Sequence, residues 1–201
     1  MAGIRVETMD RFDPVSSKDV RDAVMRTAAY ADVFDYPLSA AEIHRYLTGV
    51  RATIETVEQT LQAGLLIPSP QGYYTLPNRA ELVGVRRRRE QIARRMWPQA
   101  IHYGRAIARL PFVRMIAVTG SLAMNNVEDY PDIDYFIITA PGRLWMARAM
   151  VLAVARVAAL RGIRLCPNYL VTEDALVFPD RTLYAAHELT QMIPLFGLDM
   201  Y

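Results

Sequence analysis

The feature that most constrains this sequence is a pair of short apolar runs placed close together in its second half. Phe112 to Thr119 is a run of the length and composition typical of a buried strand, and Asp132 to Thr139 is another. Gly120-Ser121 follows the first run directly, and Leu122-Ala123-Met124 then predicts the start of a helix. The pattern predicts two neighbouring strands joined by a tight turn, a short helix and a spacer.

The second run contains two carboxylates, Asp132 and Asp134, although aspartate is disfavoured in strands. Alternation along a strand places both on one face, while Ile133 and Tyr135 point into the core. Two adjacent carboxylates repel each other, so a bound cation is expected, and oxygen ligands suit Mg²⁺. The alternative is an ordinary turn followed by two solvent-facing aspartates, an arrangement that so apolar a strand disfavours.

The whole stretch, VTGSLAMNNVEDYPDIDYFII, resembles the nucleotidyltransferase superfamily that includes DNA polymerase beta and the minimal nucleotidyltransferases. The resemblance implies that Gly120 and Ser121 bind the β- and γ-phosphates of a nucleotide. It also implies that Asp132 and Asp134 ligate Mg²⁺ and are catalytic. The implied reaction transfers a nucleoside monophosphate from a nucleoside triphosphate, with ATP expected, to an unknown acceptor, and releases pyrophosphate.

Members of this superfamily usually carry a third carboxylate on a later strand. Here the corresponding predicted strand, Ile163 to Thr172, contains no acid, and Asn168 is the polar residue expected to face the pair and contact nucleotide. Glu173 and Asp174 lie just past that strand and would substitute in another register. Three alternatives therefore stay open: a base from elsewhere, a single bound metal ion, or the loss of catalysis. The last would leave a nucleotide-binding regulator or a DNA- or protein-binding module on the same fold.

Residues 18–78 predict three short helices followed by a hairpin, an order that resembles a winged helix-turn-helix module. Ser39 to Glu42 is a capping box at the start of the second helix. The third helix is expected to expose Glu55 and Glu58, which would repel phosphates. A docking or substrate-positioning module is therefore favoured over DNA binding. Residues 1–17 are interpreted as a flexible lead-in.

Residues 79–110 predict a long basic linking helix, with a kink at Pro98. Arg86 to Arg89 suggest either a cradle for phosphates or a solvated face partly paired with Glu81 and Glu90. The second interpretation is favoured, because four consecutive residues point all around a helix. The complete prediction is an α+β chain in which a small mixed-sheet nucleotidyltransferase-like domain, residues 111–201, follows the helical module.

Bulk properties exclude several classes of protein. The formal net charge of +2 gives no general attraction to nucleic acid or membrane, and Cys166 is the only cysteine. The segment from Leu144 to Leu160 is too short and too charged for a membrane span and is interpreted as a buried helix, with Trp145 in the core. These features favour a cytoplasmic protein.

The end of the sequence predicts a helix at 182–192, followed by the apolar segment Ile193 to Phe196. That segment favours a homo-oligomer or a partner subunit at the C-terminal end.

Overall fold

A computed structural model describes residues 16–129, 131–177 and 182–201. Within these ranges the protein is mixed α/β, with seven α-helices and two small sheets. The chain divides into two compact units, residues 1–85 and 86–201. Most of the predicted lead-in, residues 1–15, lies outside the described residues, while Ser16 caps the first helix.

The first unit contains three helices and a three-stranded antiparallel sheet of strand order β1-β3-β2. Its elements are α1 (Ser17–Asp32), β1 (Leu38–Ser39), α2 (Ala40–Arg45), α3 (Ile54–Gln62), β2 (Ile67–Pro68) and β3 (Tyr73–Thr75). The predicted hairpin is present, but β1 was not predicted because two residues carry no periodicity.

Local capping explains where the helices of the first unit begin. Ser39 and Glu42 form the predicted capping box, in which each side chain binds the backbone N–H of the other residue. In α3, Val57 and Leu61 are buried, whereas Glu55 and Glu58 are exposed, as predicted. The outward face of α3 is therefore acidic.

The second unit is built on a four-stranded sheet of strand order β6-β5-β4-β7. Its elements are α4 (Leu82–Ala108, of which residues 82–85 belong to the first unit), β4 (Val113–Val118), α5 (Gly120–Ala123), β5 (Ile133–Thr139), α6 (Leu144–Ala159), β6 (Leu165–Thr172), α7 (Leu183–Gln191), β7 (Ile193–Phe196) and a 3₁₀ turn (Leu198–Met200). Strand β4 is antiparallel to both of its neighbours, and β5 is parallel to β6.

Helix α6 connects the two parallel strands, since parallel neighbours need a crossover connection. The predicted long helix is observed as α4, and it continues through Pro98. The three predicted strands of this unit are all present, each one or two residues shorter at one or both ends than the sequence indicated.

The two faces of this sheet have different cores. On one face Ile133, Tyr135 and Ile137 are buried against α4 and α6, and the Tyr135 hydroxyl donates to the backbone oxygen of Ala100 at 2.6 Å. On the other face Phe136 forms a cluster with Met115, Ala117 and Ile138 of the sheet. Leu189 of α7, Met192 and Met200 pack against this cluster. Asp132 and Asp134 share the parity of Phe136, so they lie on the α7 side.

Helix α6 is not the buried helix that the sequence suggested. Only Ala147, Val151 and Ala158 of this helix are buried, and Trp145 is 77% exposed. The prediction that Trp145 belongs to the core was wrong, because α6 covers one side of the sheet and turns its other face outward. Among the residues that the structure describes, no helix combines the length and apolar character that a bilayer crossing requires.

The apolar segment near the end of the chain forms β7, an edge strand antiparallel to β4. Leu195 packs onto the core that α4 and α6 share with the sheet, while Phe196 stays 46% exposed. A partner at this end of the chain stays a prediction.

Candidate functional site

The predicted turn and the carboxylate pair lie together at one end of the four-stranded sheet of the second unit, called here the central sheet. Gly120 follows β4 with a φ of +65°, a conformation that favours glycine. A Cβ atom at this position would lie 2.5 Å from Oδ2 of Asp134. Both the backbone conformation and the close approach of the carboxylate therefore favour glycine here.

Three potential ligand atoms converge beside that turn. Asp132, Asp134 and Cys166 each offer one atom, and these atoms all lie within 4.8 Å of one another. Cys166 is brought there by the parallel pairing of β5 and β6, in which it is the registered partner of Asp134. Asp132 is exposed, whereas Asp134 and Cys166 are partly buried.

Asn168 does not occupy the register position opposite the pair. The β5–β6 ladder shifts between Asp134 and Phe136, because Cys166 pairs with Asp134 but Tyr169 pairs with Phe136. The extra residue falls at 167–168 and interrupts the alternation on which the expectation for Asn168 rested. Its side chain is exposed, and its contact with nucleotide stays a prediction.

The electrostatics of this site are set mainly by burial and by neighbouring carboxylates. Burial raises the pKa of Asp134 to about 6, the charges of Asp132 and Glu188 act in the same direction, and a hydrogen bond from Cys166 opposes them. Burial also raises the pKa of the Cys166 thiol to about 11, with Asp134 contributing. The thiol is therefore protonated at neutral pH.

Glu188, on α7, is the third carboxylate of this end of the sheet. Its Oε2 accepts a hydrogen bond of 2.8 Å from the hydroxyl of Thr119, the residue between β4 and Gly120. Within the described ranges no arginine, lysine or histidine forms an ion pair with Asp132, Asp134 or Glu188. Asp132 and Asp134, which no described cation pairs, make a region of negative potential that a divalent cation would neutralise.

Glu188 was missed because it lies 54 residues after Asp134 on an ordinary amphipathic helix. The third carboxylate was expected on the third predicted strand, which contains no acid. A usable signal was the short interval between α7 and β7, which returns the chain to β4 and so to the site.

The two acids after β6 lie at the wrong end of the sheet to replace the missing strand acid. Glu173 pairs with Arg114 at 3.5 Å, and its backbone N–H donates to Thr139 at the far end of β5. Glu173 lies seven positions after Cys166, a distance of about 23 Å along an extended strand. The alternative in which Glu173 or Asp174 completes the site is therefore excluded by the register.

The turn itself is short. Helix α5 has only four residues, Ser121 is exposed, and the backbone oxygen of Ser121 accepts from the N–H of Asn126 at 2.8 Å. Gly120 thus lies beside Asp134, and the next residue, Ser121, is exposed.

The spacer between the turn and β5 is tied to α4. Arg89 donates to Asn126 at 3.2 Å and to Glu128 at 2.6 Å, and Arg88 pairs with Asp129. Trp97 donates from Nε1 to Asn125 at 2.9 Å. These contacts explain the two asparagines as parts of a structural turn.

The arginine run is also explained in part by these contacts. Arg86 pairs with Glu90, as the sequence suggested, but it is buried, so the expectation of a solvated face was wrong for this residue. Arg88 and Arg89 pair with spacer acids that the sequence did not identify as their partners. Arg87 is exposed.

Comparison of the chain with models of protein families, with curated proteins and with solved structures found no match.

Proposed function

We propose that the second unit is a nucleotidyltransferase that transfers a nucleoside monophosphate from a nucleoside triphosphate, with ATP expected, to an acceptor. The observation that carries the proposal is the close approach of Gly120 to Asp134, with Asp132 alongside, at one end of a mixed sheet. A strand, the turn and the strand of the carboxylates follow one another in the order of the motif that carries the resemblance, which supports the proposal.

Asp132 and Asp134 would hold Mg²⁺, because their oxygens are the ligands that this ion prefers. Bound there, the ion would supply a positive charge for the triphosphate and polarise the α-phosphate. Gly120 and Ser121 would receive the β- and γ-phosphates through the backbone N–H groups and the Ser121 hydroxyl. No arginine pairs with the acids in the described residues, which leaves the carboxylates available to a metal ion.

In the proposed reaction an acceptor oxygen attacks the α-phosphorus. The bond from the α-phosphorus to the oxygen that bridges to the β-phosphorus breaks, and pyrophosphate leaves. The acceptor proton must pass to a base. Cys166 is the residue of β6 that pairs with Asp134, and its protonated thiol is a poor base at neutral pH.

The position of Cys166 also favours a second candidate function: a regulator that binds nucleotide without turning it over. The same geometry would hold the metal and the triphosphate, and only the proton acceptor would be lacking. The two candidates differ in whether bound ATP yields pyrophosphate.

For the first unit we propose a docking or substrate-positioning role. Three helices with a small antiparallel sheet are compatible with a winged-helix-like module. The exposed Glu55 and Glu58 on α3 disfavour phosphate contact by that helix.

The test is Mg²⁺-dependent release of pyrophosphate from ATP in the presence of a cell extract as the acceptor source, paired with nucleotide binding by the purified chain. Asp132→Asn and Asp134→Asn should each lower the rate at least about 100-fold, since each removes a metal ligand. Glu173→Gln is the matched control, because it neutralises an acid at the opposite end of the same sheet.

Binding of Mg²⁺-ATP that Asp134→Asn abolishes, with no pyrophosphate from any variant, would select the regulator. Pyrophosphate release that survives both aspartate changes would reject the proposed site.

A further inference from the structure

Thr119 links the proposed phosphate-binding turn to a distant helix. Its side chain is 2% exposed, and its hydroxyl donates to Oε2 of Glu188 at 2.8 Å. Its backbone N–H donates to the backbone oxygen of Asp134 at 3.0 Å. Both hydrogen bonds belong to the residue immediately before Gly120, so they restrain the point at which the chain turns.

Glu188 is held in this position by the packing of α7. Thr182 caps the helix by accepting from Ala185 at 3.2 Å, and Leu189 packs against the Phe136 face of the sheet. Hydrogen bonds to an ionised acceptor are roughly twice as strong as neutral ones. A carboxylate fixed by a packed helix is therefore a firm anchor for a buried hydroxyl.

The same carboxylate lies close enough to Asp134 for their charges to repel. A glutamine at this position would accept the hydrogen bond from Thr119 without that repulsion. The hydrogen bond and the charge of Glu188 can therefore be separated by substitution.

We propose that Glu188 is a positioning residue, which through Thr119 fixes the Gly120–Ser121 turn in the conformation that receives the triphosphate. The turn is then set by the docking of α7 as well as by its own short sequence. This inference rests on the proposed nucleotide site, but the order of the turn can be measured without nucleotide.

The experiment compares Glu188→Ala, Glu188→Gln, Thr119→Val and Thr119→Ser. Two readouts are taken: amide hydrogen exchange of residues 119–126 without ligand, and KM and kcat for Mg²⁺-ATP, or Kd if the chain binds without turnover. Glu188→Ala and Thr119→Val should speed exchange about tenfold and raise KM or Kd about tenfold, the effect of one lost hydrogen bond. Their kcat should stay within about threefold of the original value.

The conservative variants should behave like the unchanged protein. Glu188→Gln and Thr119→Ser keep an acceptor and a donor, so their exchange and KM should stay within about threefold of the unchanged protein. The double variant Glu188→Ala with Thr119→Val should be no worse than either single variant, because both remove the same bond.

Two results would overturn the inference. Unchanged exchange of the turn in Glu188→Ala and Thr119→Val, with native melting temperatures, would show that the bond does not order it. Loss of kcat in Glu188→Gln as large as in Glu188→Ala would show that the charge acts on the metal or a proton. A chain that binds no nucleotide yet shows the expected exchange pattern would reject the proposed function alone.

Discussion

Carboxylates lie at both ends of the four-stranded sheet, but only those at one end are paired with a cation among the described residues. At the end where β6 finishes, Glu173 pairs with Arg114 at 3.5 Å. At the other end, Asp132 and Asp134 converge with Cys166, and no described arginine pairs with them. Glu173 is neutralised by an arginine of the protein, whereas in the proposed function Asp132 and Asp134 would be neutralised by a bound metal ion.

A glycine with positive φ lies at each end of the sheet, and replacing either should give the largest changes in stability or binding. Gly197, at the ion-pair end, has a φ of +72°, and a Cβ there would collide with the backbone oxygen of Arg114. Gly197→Ala should lower the free energy of unfolding by about 2–5 kcal/mol, because left-handed strain adds to a clash with rigid backbone. Urea denaturation measures this loss.

Gly120→Ala should cost less stability, about 1–2 kcal/mol, because the atom it meets is the end of a side chain that can rotate away. The displaced atom is Oδ2 of Asp134, so metal and nucleotide binding should be lost all the same. Equal stability losses for the two alanine variants, or unchanged nucleotide binding in Gly120→Ala, would contradict the contrast between the ends.

A smaller effect is expected in the pH dependence of stability. In the folded protein the pKa of Asp134 lies at about 6, above its ordinary value of 3.8, so the folded state holds the proton more tightly. The metal-free protein should therefore lose stability as pH rises from about 4 to about 6, and should stay at the lower level above that.

Asp134→Asn removes this titration. The variant should be more stable than the unchanged protein at pH 8, by on the order of 1 kcal/mol after allowance for solvent screening, and equal to it below about pH 4. Melting temperatures across this pH range, in the presence of a chelator, give the comparison. A variant less stable than the unchanged protein at pH 8 would show that Asp134 is already compensated.

The smallest effect is expected at the ion pair. Arg114→Met should change the free energy of unfolding by less than about 1 kcal/mol, because both partners are partly exposed to water. Its binding of Mg²⁺-ATP should equal that of the unchanged protein. A large loss of nucleotide binding in this variant would mean that the two ends are coupled through the sheet.

Much of the second unit was predictable because its signals are local. Apolar runs flanked by Gly120-Ser121 and by the aspartate pair predicted β4, the turn and β5, and alternation correctly placed Ile133 and Tyr135 in the core. The long apolar stripe likewise predicted α4. Each of these depends on residues within one element or one turn of the chain.

The errors share a different cause. Trp145 looked like a core residue because α6 is apolar, yet burial depends on which face of a helix has a neighbour. Asn168 was placed by counting alternation, which the irregularity in β6 interrupts. The pairing of Arg88 and Arg89 with the spacer also required the return of the chain to α4.

By itself the sequence determined where the strands and the tight turn occur, and that two carboxylates share one face, because backbone sterics and side-chain alternation are local. Only the tertiary structure decided that Cys166 lies opposite Asp134 and that Glu188 binds Thr119. Those contacts join residues 32 and 69 positions apart, and strand register and helix docking alone bring them together.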